Sequence, residues 1–253
     1  MDLPKKSLGQ HWLTDEKTLR SICDSAGLHP DDTVLEIGPG LGNLTKHLIP
    51  RVKKVIAIEK DEKLAKTLRG KLEVVEGDIL KFDLNQLTKD YKVVANIPYY
   101  LTSNLLRVLS ESVNPPASMT LLVQKEVAER ICAKAGQMSL LAVSIQLYYE
   151  CELGIEVLAR LFTPPPKVDS RVVLLKRRSK PLFKDLDSAK FFRVVKAGFS
   201  ERRKKLRSSL AGGLEISKDE ADNLLIRAGI NPDLRPQQLS LEQWYKIYQK
   251  FQG

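Results

Sequence analysis

The sequence VLEIGPGLGNLT, Val34–Thr45, joins an apolar β-rich run to three alternating glycines and a segment with helical spacing. This order predicts a buried strand, Thr33–Ile37, followed by a tight turn and a helix. Glycines at such a turn adopt positive φ without strain and let the backbone approach a ligand closely. A turn whose glycines are incidental is the alternative. The stretch therefore predicts a strand–turn–helix unit that can hold a ligand at its turn.

Short β-rich runs alternate with helical patterns on both sides of this unit, which predicts βαβ units and a parallel sheet with both faces covered. The predicted strands are Thr33–Ile37, Lys54–Glu59, Leu72–Glu76, Lys92–Ala95 and Thr120–Val123. The helical stretches are Leu44–Leu48, Asp61–Leu68, Leu101–Leu109 and Glu126–Ala135. The sequence thus predicts an α/β fold.

The later part of the chain changes character. Met138–Tyr149 is long enough to favour a helix, and β-rich runs follow at Glu152–Leu158 and Arg171–Lys176. Between them the three prolines of Phe162–Ser170, FTPPPKVDS, exclude regular structure. From Pro181 the β-branched runs stop. We therefore predict a larger α/β domain over residues 1–180 and a small helical domain over residues 181–253.

Helix-start signals support that second domain. Ser217 with Glu220 and Ser240 with Gln243 have the spacing of capping boxes. The first opens a helix that we expect to end at Gly229, since glycine is the preferred residue just past a helix end.

Composition excludes several protein classes. The chain has 253 residues, is 43% hydrophobic and has a formal charge of +10, which excludes an acidic disordered protein. No apolar run is long enough for a spanning helix, and the first residues have no apolar core typical of a secretory signal. The three cysteines form neither a metal pattern nor a disulfide framework, and with only His11, His29 and His47 besides we expect no metal site. These features fit a cytoplasmic location.

The positive charge is concentrated near the end of the chain. Of the net charge of +10, +8 lies in the last 77 residues, with seventeen Lys or Arg against nine Asp or Glu. Its densest part is Arg202, Arg203, Lys204, Lys205 and Arg207. Such a cluster is typical of a surface that binds phosphates, although a solvated helix face explains it equally well and a membrane surface less well.

Two acidic residues indicate which ligand the glycine turn holds. Glu59 ends the next strand, 21 residues after Gly38, where a carboxylate can accept both hydroxyl protons of a ribose. A dinucleotide site would prefer glycine at position 43, which is Asn43, and Glu36 adds negative charge that disfavours a pyrophosphate. The spacing thus disfavours a nicotinamide oxidoreductase. S-adenosylmethionine, whose sulfonium and ammonium are cationic, fits better, and Asp78 after the third strand is placed to meet its adenine amine.

The segment Asn96–Tyr100, NIPYY, ends the fourth predicted strand. The side-chain oxygen of Asn96 and a backbone carbonyl near Pro98 can accept the two N–H bonds of a nucleobase amine and aim its lone pair at a methyl donor. Tyr99 offers a ring face for a base that has left its stack. A strand end with a proline stop and two core tyrosines is the alternative.

Eight sequence blocks in the same order resemble the ribosomal RNA adenine dimethyltransferases of the KsgA type over essentially the whole chain. The blocks are Lys5–Leu13, Val34–Thr45, Glu59, Gly77–Leu80, Asn96–Ser103, Val123–Ile131, Phe162–Ser170 and Phe199–Arg207. The resemblance implies a Rossmann-like methyltransferase sheet with a cofactor-capping N-terminal segment and a C-terminal helical RNA-binding domain. It also implies methyl transfer from S-adenosylmethionine to N6 of two adjacent adenosines near the 3′ end of small-subunit rRNA.

The same resemblance assigns site residues. It implies cofactor contacts at His11, Leu13, Gly38, Glu59, Asp78 and Asn96, with Gln10, Gly40 and Asn43 nearby. It implies that Asn96, Pro98 and Tyr99 position the target base and that Phe162 forms a second wall of the base pocket. The family usually has Asn where this chain has His11, which can still form one hydrogen bond, and Phe where it has Trp12, which keeps an aromatic face.

Two alternatives remain beside this interpretation. Large-subunit rRNA methyltransferases of the macrolide-resistance type share the chemistry, and the blocks Phe162–Ser170 and Phe199–Arg207 favour the small-subunit family. A non-catalytic ribosome-assembly factor would not need Glu59, Asp78 and Asn96. We expect a monomer that acts on rRNA or an assembling small subunit without metal or membrane.

Overall fold

The computed structural model describes residues 4–5 and 8–252, and these form two compact units. The first unit contains the residues up to Glu129 together with Tyr149–Arg177, and the second contains Arg130–Tyr148 together with the residues from Arg178 onward.

A seven-stranded sheet in the order β4-β3-β2-β5-β6-β9-β7 forms the centre of the first unit. The strands from β4 to β6 in this order run parallel, whereas β9 is antiparallel to both β6 and β7. The strands in chain order are β1 (Trp12–Leu13), β2 (Thr33–Ile37), β3 (Lys54–Glu59), β4 (Glu73–Glu76), β5 (Lys92–Asn96), β6 (Ser118–Gln124), β7 (Tyr149–Val157), β8 (Phe162–Thr163) and β9 (Ser170–Arg177).

Ten α-helices accompany these strands in the described residues. They are α1 (Glu16–Ser25), α2 (Thr45–Leu48), α3 (Glu62–Leu68), α4 (Thr102–Glu111), α5 (Lys125–Ile131), α6 (Leu140–Gln146), α7 (Ser188–Phe199), α8 (Leu206–Leu214), α9 (Lys218–Arg227) and α10 (Leu241–Gln252). Side-chain caps fix several starts: Asp15 accepts the backbone N–H of Thr18 ahead of α1, and Asp61 accepts that of Lys63 ahead of α3.

The sheet topology determines where the candidate site lies. β2, β3 and β5 are parallel neighbours, so their carboxyl ends meet at one edge of the sheet. Gly38 follows β2, Glu59 ends β3 and Asn96 ends β5. These three residues are therefore brought together by strand direction alone, although they are far apart in sequence.

A separate two-stranded sheet joins the N-terminal segment to the proline-rich segment. β1 pairs antiparallel with β8, with Trp12 opposite Thr163 and Leu13 opposite Phe162. The prediction of irregular structure for Phe162–Ser170 was therefore wrong at its first two residues, and also at Ser170, which begins β9. Two-residue strands have no periodicity of their own and form here because β1 supplies the partner.

The second unit is helical around its own apolar core, in which Trp244 and Phe191 are completely buried. α7 and α8 approach closely at Gly213, which has no side chain. A Cβ at this position would lie only 2.5 Å from the Cα of Ala197. Both predicted capping boxes are present, at Ser217 and Ser240. The helix after the first box is followed by Gly229 at φ 69°, as predicted.

The division of the chain differs from the predicted one. The second unit includes residues 130–148, which the prediction placed in the domain of residues 1–180, and it resumes at Arg178. The predicted helix Met138–Tyr149 is shorter, because α6 ends at Gln146 and Tyr149 already begins β7. The physical reason is burial: Met138, Val143 and Leu147 belong to the same apolar core as α7–α10.

Candidate active site

A cavity lies at the carboxyl edge of the parallel strands in the first unit. Its walls are the segment Leu8–Leu13, the glycine turn after β2, the ends of β3 and β5, and the residues around Asp78. The predicted site residues that line it are His11, Leu13, Gly38, Gly40, Glu59, Asp78, Asn96, Pro98 and Tyr99. The fold thus brings the predicted cofactor and base-positioning residues of this unit together, with Phe162 as the exception.

The glycine turn is bound to the end of β3. Glu59 is almost completely buried, its Oε2 accepts the backbone N–H of Gly40 at 3.0 Å, and its Oε1 accepts that of Asp61 at 2.8 Å. Gly40 adopts φ 58°, and a Cβ there would lie 3.4 Å from Nε1 of Trp12. Burial raises the pKa of Glu59 and the two N–H donors oppose that rise. Each carboxylate oxygen keeps a lone pair for a further donor.

A second buried carboxyl, Glu36, lies one strand away and also lines the cavity. Its Oε2 accepts a hydrogen bond of 2.6 Å from the Thr45 hydroxyl. Burial raises the pKa of Glu36 to about 8, and the neighbouring Glu59 adds to that rise. Among the described residues no cation forms an ion pair with Glu36 or Glu59. The cavity therefore holds two acidic groups without a positive partner among the residues that the structure describes.

Asp78 is held in place by two contacts. Its Oδ1 accepts the backbone N–H of Leu80 at 3.0 Å, and its Oδ2 lies 2.9 Å from Nζ of Lys60. The hydrogen bond from Lys60 and that from Leu80 lower the pKa of Asp78, so it is ionised at neutral pH. The ion pair between Lys60 and Asp78 was not predicted. A lysine that follows a strand gives no sign in the sequence that its partner lies in the turn after the next strand.

Asn96 is oriented by the N-terminal segment. Its Nδ2 donates to the backbone carbonyl of His11 at 3.2 Å. The Nδ2 group of Asn96 therefore has a hydrogen-bond partner within the protein. Its Oδ1 forms no hydrogen bond with a described residue and remains available as an acceptor, and Asn96 lines the cavity. This is the group that acceptance of a nucleobase N–H requires.

The ring of Tyr99 is held on two sides. Its hydroxyl shares a hydrogen bond of 2.8 Å with the hydroxyl of Ser170, which is completely buried. The imidazole of His11 stacks near the ring, with centroids 5.8 Å apart and planes at 20°. His11 Nδ1 lies 2.7 Å from the carbonyl oxygen of Pro164, so Nδ1 carries the proton. The proline-rich segment thus anchors both aromatic residues.

The N-terminal segment is attached to the glycine turn as well. Asn43 donates from Nδ2 to the carbonyl of Leu13 at 2.9 Å, and Nζ of Lys5 lies 2.7 Å from the carboxylate of Asp61. Lys6 and Ser7 of the predicted block lie outside the described residues. Residues Leu8–Leu13 of the N-terminal segment therefore form one wall of the cavity.

Phe162 does not lie where the resemblance implied. Its side chain is 3% exposed, belongs to the apolar core beside Leu13, and is not among the described residues that line the cavity. The pairing of β8 with β1 explains this position, since Phe162 stands opposite Leu13 in the register. Ser170, the last residue of the same block, instead contacts Tyr99. Sequence alone gave no sign of that role, because a serine before a β-rich run has many uses.

The predicted RNA-binding cluster lies in the second unit, before and at the start of α8. Lys204 forms an ion pair with Glu201, Lys205 with Asp233, and Arg207 with Asp222 and Asp233. Arg202 and Arg203 are exposed and form no ion pair within the described part of the chain. The cluster is therefore divided into cations balanced by local acids and two free arginines.

The acidic lining of the cavity suits a ligand that carries positive charge and hydroxyl groups. Three carboxyls, those of Glu36, Glu59 and Asp78, line the cavity, and the one lysine among its described lining residues, Lys60, is paired with Asp78. A buried acid without a partner is costly, and a ligand with positive charge and hydroxyl donors would satisfy it. No helix in the described residues is long and apolar enough to cross a membrane.

Comparison with known proteins gives a consistent result. The family model described as ribosomal RNA adenine dimethylase matches residues 1–253. A ribosomal RNA small subunit methyltransferase A from Dehalococcoides mccartyi is 42% identical over 98% of this chain and 89% of its own length. The crystal structure of the 23S rRNA methyltransferase ErmE has a TM-score of 0.77 at 31% identity and covers 96% of this chain and all of its own.

A crystal structure of a dimethyladenosine transferase from Plasmodium falciparum has a TM-score of 0.82 at 27% identity, covering 96% of this chain and 98% of its own. The similarities therefore extend over both units rather than over the sheet alone. With the family model matched from end to end, the chain belongs to the ribosomal RNA adenine dimethylase family.

Proposed function

We propose that this enzyme transfers methyl groups from S-adenosylmethionine to N6 of two adjacent adenosines near the 3′ end of small-subunit rRNA, during small-subunit biogenesis in the cytoplasm. The observation that carries the proposal is the shared cavity: Glu36 and Glu59 form no ion pair within the described chain, and Asn96 and Tyr99 line the same space. The first pair suits a cationic cofactor, and the second suits a nucleobase amine.

The residues at the strand ends would hold the cofactor. Glu59 accepts hydroxyl protons of its ribose with the lone pairs left by Gly40 and Asp61. Asp78 accepts from its adenine amine beside the contact with Lys60. The backbone of Gly38 and Gly40 permits close approach, and His11 and Leu13 close the site from the N-terminal segment. When bound, the cofactor would supply a methyl group on a positively charged sulfur. This sulfur is the leaving group, and its departure needs no metal.

The target amine is positioned rather than deprotonated before it attacks, and the methylated nitrogen loses one proton to solvent after the transfer. Its lone pair is delocalised into the ring, so the N6 nitrogen must become more tetrahedral before it attacks. Asn96 Oδ1 and a backbone carbonyl near Pro98 accept hydrogen bonds from its two N–H groups and direct the lone pair, and the ring of Tyr99 stacks on the base. Tyr99 fits this role because Ser170, through a hydrogen bond, and His11, through stacking, hold its ring in one orientation.

The second unit would bind RNA. It carries most of the excess positive charge, and Arg202 and Arg203 are free to contact phosphates, with Lys204, Lys205 and Arg207 beside them. We propose that the enzyme acts as a monomer on rRNA or on an assembling small subunit.

A large-subunit target is the second candidate, because the 23S rRNA methyltransferase ErmE shares the fold at 31% identity. The higher identity of 42% to a small-subunit methyltransferase favours the small subunit.

The test is to incubate the protein and labelled S-adenosylmethionine with unmodified small subunits and, separately, with large subunits, and to map the labelled nucleotides. We expect N6,N6-dimethyladenosine at two adjacent positions of small-subunit rRNA only. Label confined to large-subunit rRNA would support the second candidate, and no label in either would contradict the proposal.

A further inference from the structure

Glu36 is a buried acid in the cavity wall to which the steps described above assign no contact with the cofactor or the base. It is 1% exposed, and its described hydrogen-bond partner is the neutral hydroxyl of Thr45, which donates to Oε2 at 2.6 Å. The other carboxyl acting on it is Glu59, at the end of the neighbouring strand. Thr45 alone cannot compensate a negative charge at this position.

An acid in these surroundings favours its neutral form, because a buried carboxylate needs a cation or several donors. The titratable groups that act on Glu36 are Glu59 from β3 and the thiol of Cys23 from α1, and neither supplies positive charge at neutral pH. The raised pKa of about 8 agrees with a carboxyl that carries its proton in the free protein.

We propose that Glu36 distinguishes the methyl donor from its spent product: it is neutral in the free site, ionises when the charged sulfonium binds, and regains a proton after methyl transfer. The proton passes to solvent on cofactor binding and returns once the product, S-adenosylhomocysteine, holds a neutral sulfur. The inference rests on the proposed cofactor. It gives the site a preference for the charged donor and a reason to release the product.

Proton counting tests this directly on the full chain. Calorimetric titrations at pH 6.5 in buffers of different ionisation enthalpy give the number of protons released on binding. This pH lies below the usual α-amino range of about 7.7–8.0, which reduces the contribution of the ligands' own amines. We expect close to one proton released with S-adenosylmethionine and close to none with S-adenosylhomocysteine. Sinefungin, which carries an ammonium in place of the methylsulfonium, should behave like the donor.

The matched variant is Glu36→Gln, which keeps an acceptor for Thr45 but cannot ionise. It should abolish the difference in proton release, and its affinity for the donor should fall about tenfold more than its affinity for the product. Equal proton release with donor and product in the wild-type protein would overturn the proposal, as would unchanged linkage in Glu36→Gln. Should the variant not fold, the wild-type comparison still decides. Failure of the wild-type protein to bind either ligand would instead contradict the proposed function.

Discussion

Asn96 has one donor group and one acceptor group, and the protein uses the donor. Nδ2 bonds the carbonyl of His11, which fixes the side-chain orientation. We predict that Asn96→Ala lowers the rate of methyl transfer about 100- to 1000-fold, as expected when one oriented polar contact to a transition state is removed. Cofactor affinity should change by no more than about threefold, because cofactor contacts at Glu59 and Asp78 persist. Single-turnover transfer and calorimetric binding measure the two effects.

The control for Asn96 is Asn104→Ala on α4, whose side chain is exposed. It should retain the wild-type rate. Full turnover by Asn96→Ala would remove Asn96 from the mechanism.

Tyr99 and Ser170 form one unit through their shared hydroxyl hydrogen bond. Tyr99→Phe and Ser170→Ala should each lower kcat about tenfold, because the ring loses one of its two anchors and a buried hydroxyl is left without its partner. The double variant should be no worse than the more impaired single variant, since both substitutions break the same contact. Independent, multiplying losses in this double-mutant cycle, or losses confined to cofactor affinity, would contradict this positioning role.

The sequence predicted much of the site at residue scale, for a physical reason. The alternation of strands and helices places the carboxyl ends of parallel strands at one edge, so Glu59 and Asn96 could be brought together without coordinates. The partners of these residues could not be found in this way. Ser170, Lys60 and Thr45 come from segments whose approach depends on loop paths, and no local pattern encodes such paths.

The accuracy of the predicted elements follows the strength of the local pattern. β2 and β3 were confirmed to the residue, because a continuous run of buried apolar residues between turn signals gives a strand sharp limits. The run Met138–Tyr149 was wrong at its end, where apolar periodicity continues across the change from α6 to β7. Sheet β1–β8 was not predicted, since pairing and not propensity creates it.

The glycine turn yields a prediction about stability. A Cβ on Gly42 would lie 2.9 Å from Cδ2 of Leu68, and the residue adopts φ 79°. Gly42→Ala therefore adds a clash with α3 to the backbone strain, and we expect a loss of about 1–3 kcal/mol in the free energy of unfolding. Urea unfolding gives this value.

Gly70→Ala is the matched control for Gly42. Gly70 has φ 85°, and a Cβ there meets nothing within 4 Å. Its loss should reflect backbone strain alone and be smaller. Equal losses for the two variants would show that Leu68 moves aside without cost.

At the scale of the whole molecule, charge and chemistry are separated along the chain. The acid-rich cavity belongs to the first unit, and the excess of positive charge belongs to the last 77 residues. The sequence indicated this separation because charge can be counted along a chain. The sequence did not indicate that residues 130–148 contribute to the core of the second unit. The apolar residues of α6 would suit the core of either unit equally well.

RNA binding should depend unequally on the members of the basic cluster. Arg202 and Arg203 have no acidic partner in the described structure, whereas Lys205 and Arg207 are both paired with Asp233. A cation that must leave a carboxylate gains less binding free energy from a phosphate than an unpaired cation does.

Replacing both Arg202 and Arg203 by Ala should reduce the slope of log K against log salt by about 1.4–1.8, the value for two lost phosphate contacts. The pair Lys205→Ala and Arg207→Ala should reduce it by less, in filter-binding or fluorescence titrations with a small-subunit rRNA fragment. Equal reductions for the two pairs would mean that the ion pairs with Asp233 do not compete with RNA, and an unchanged slope for both would place the phosphate contacts elsewhere.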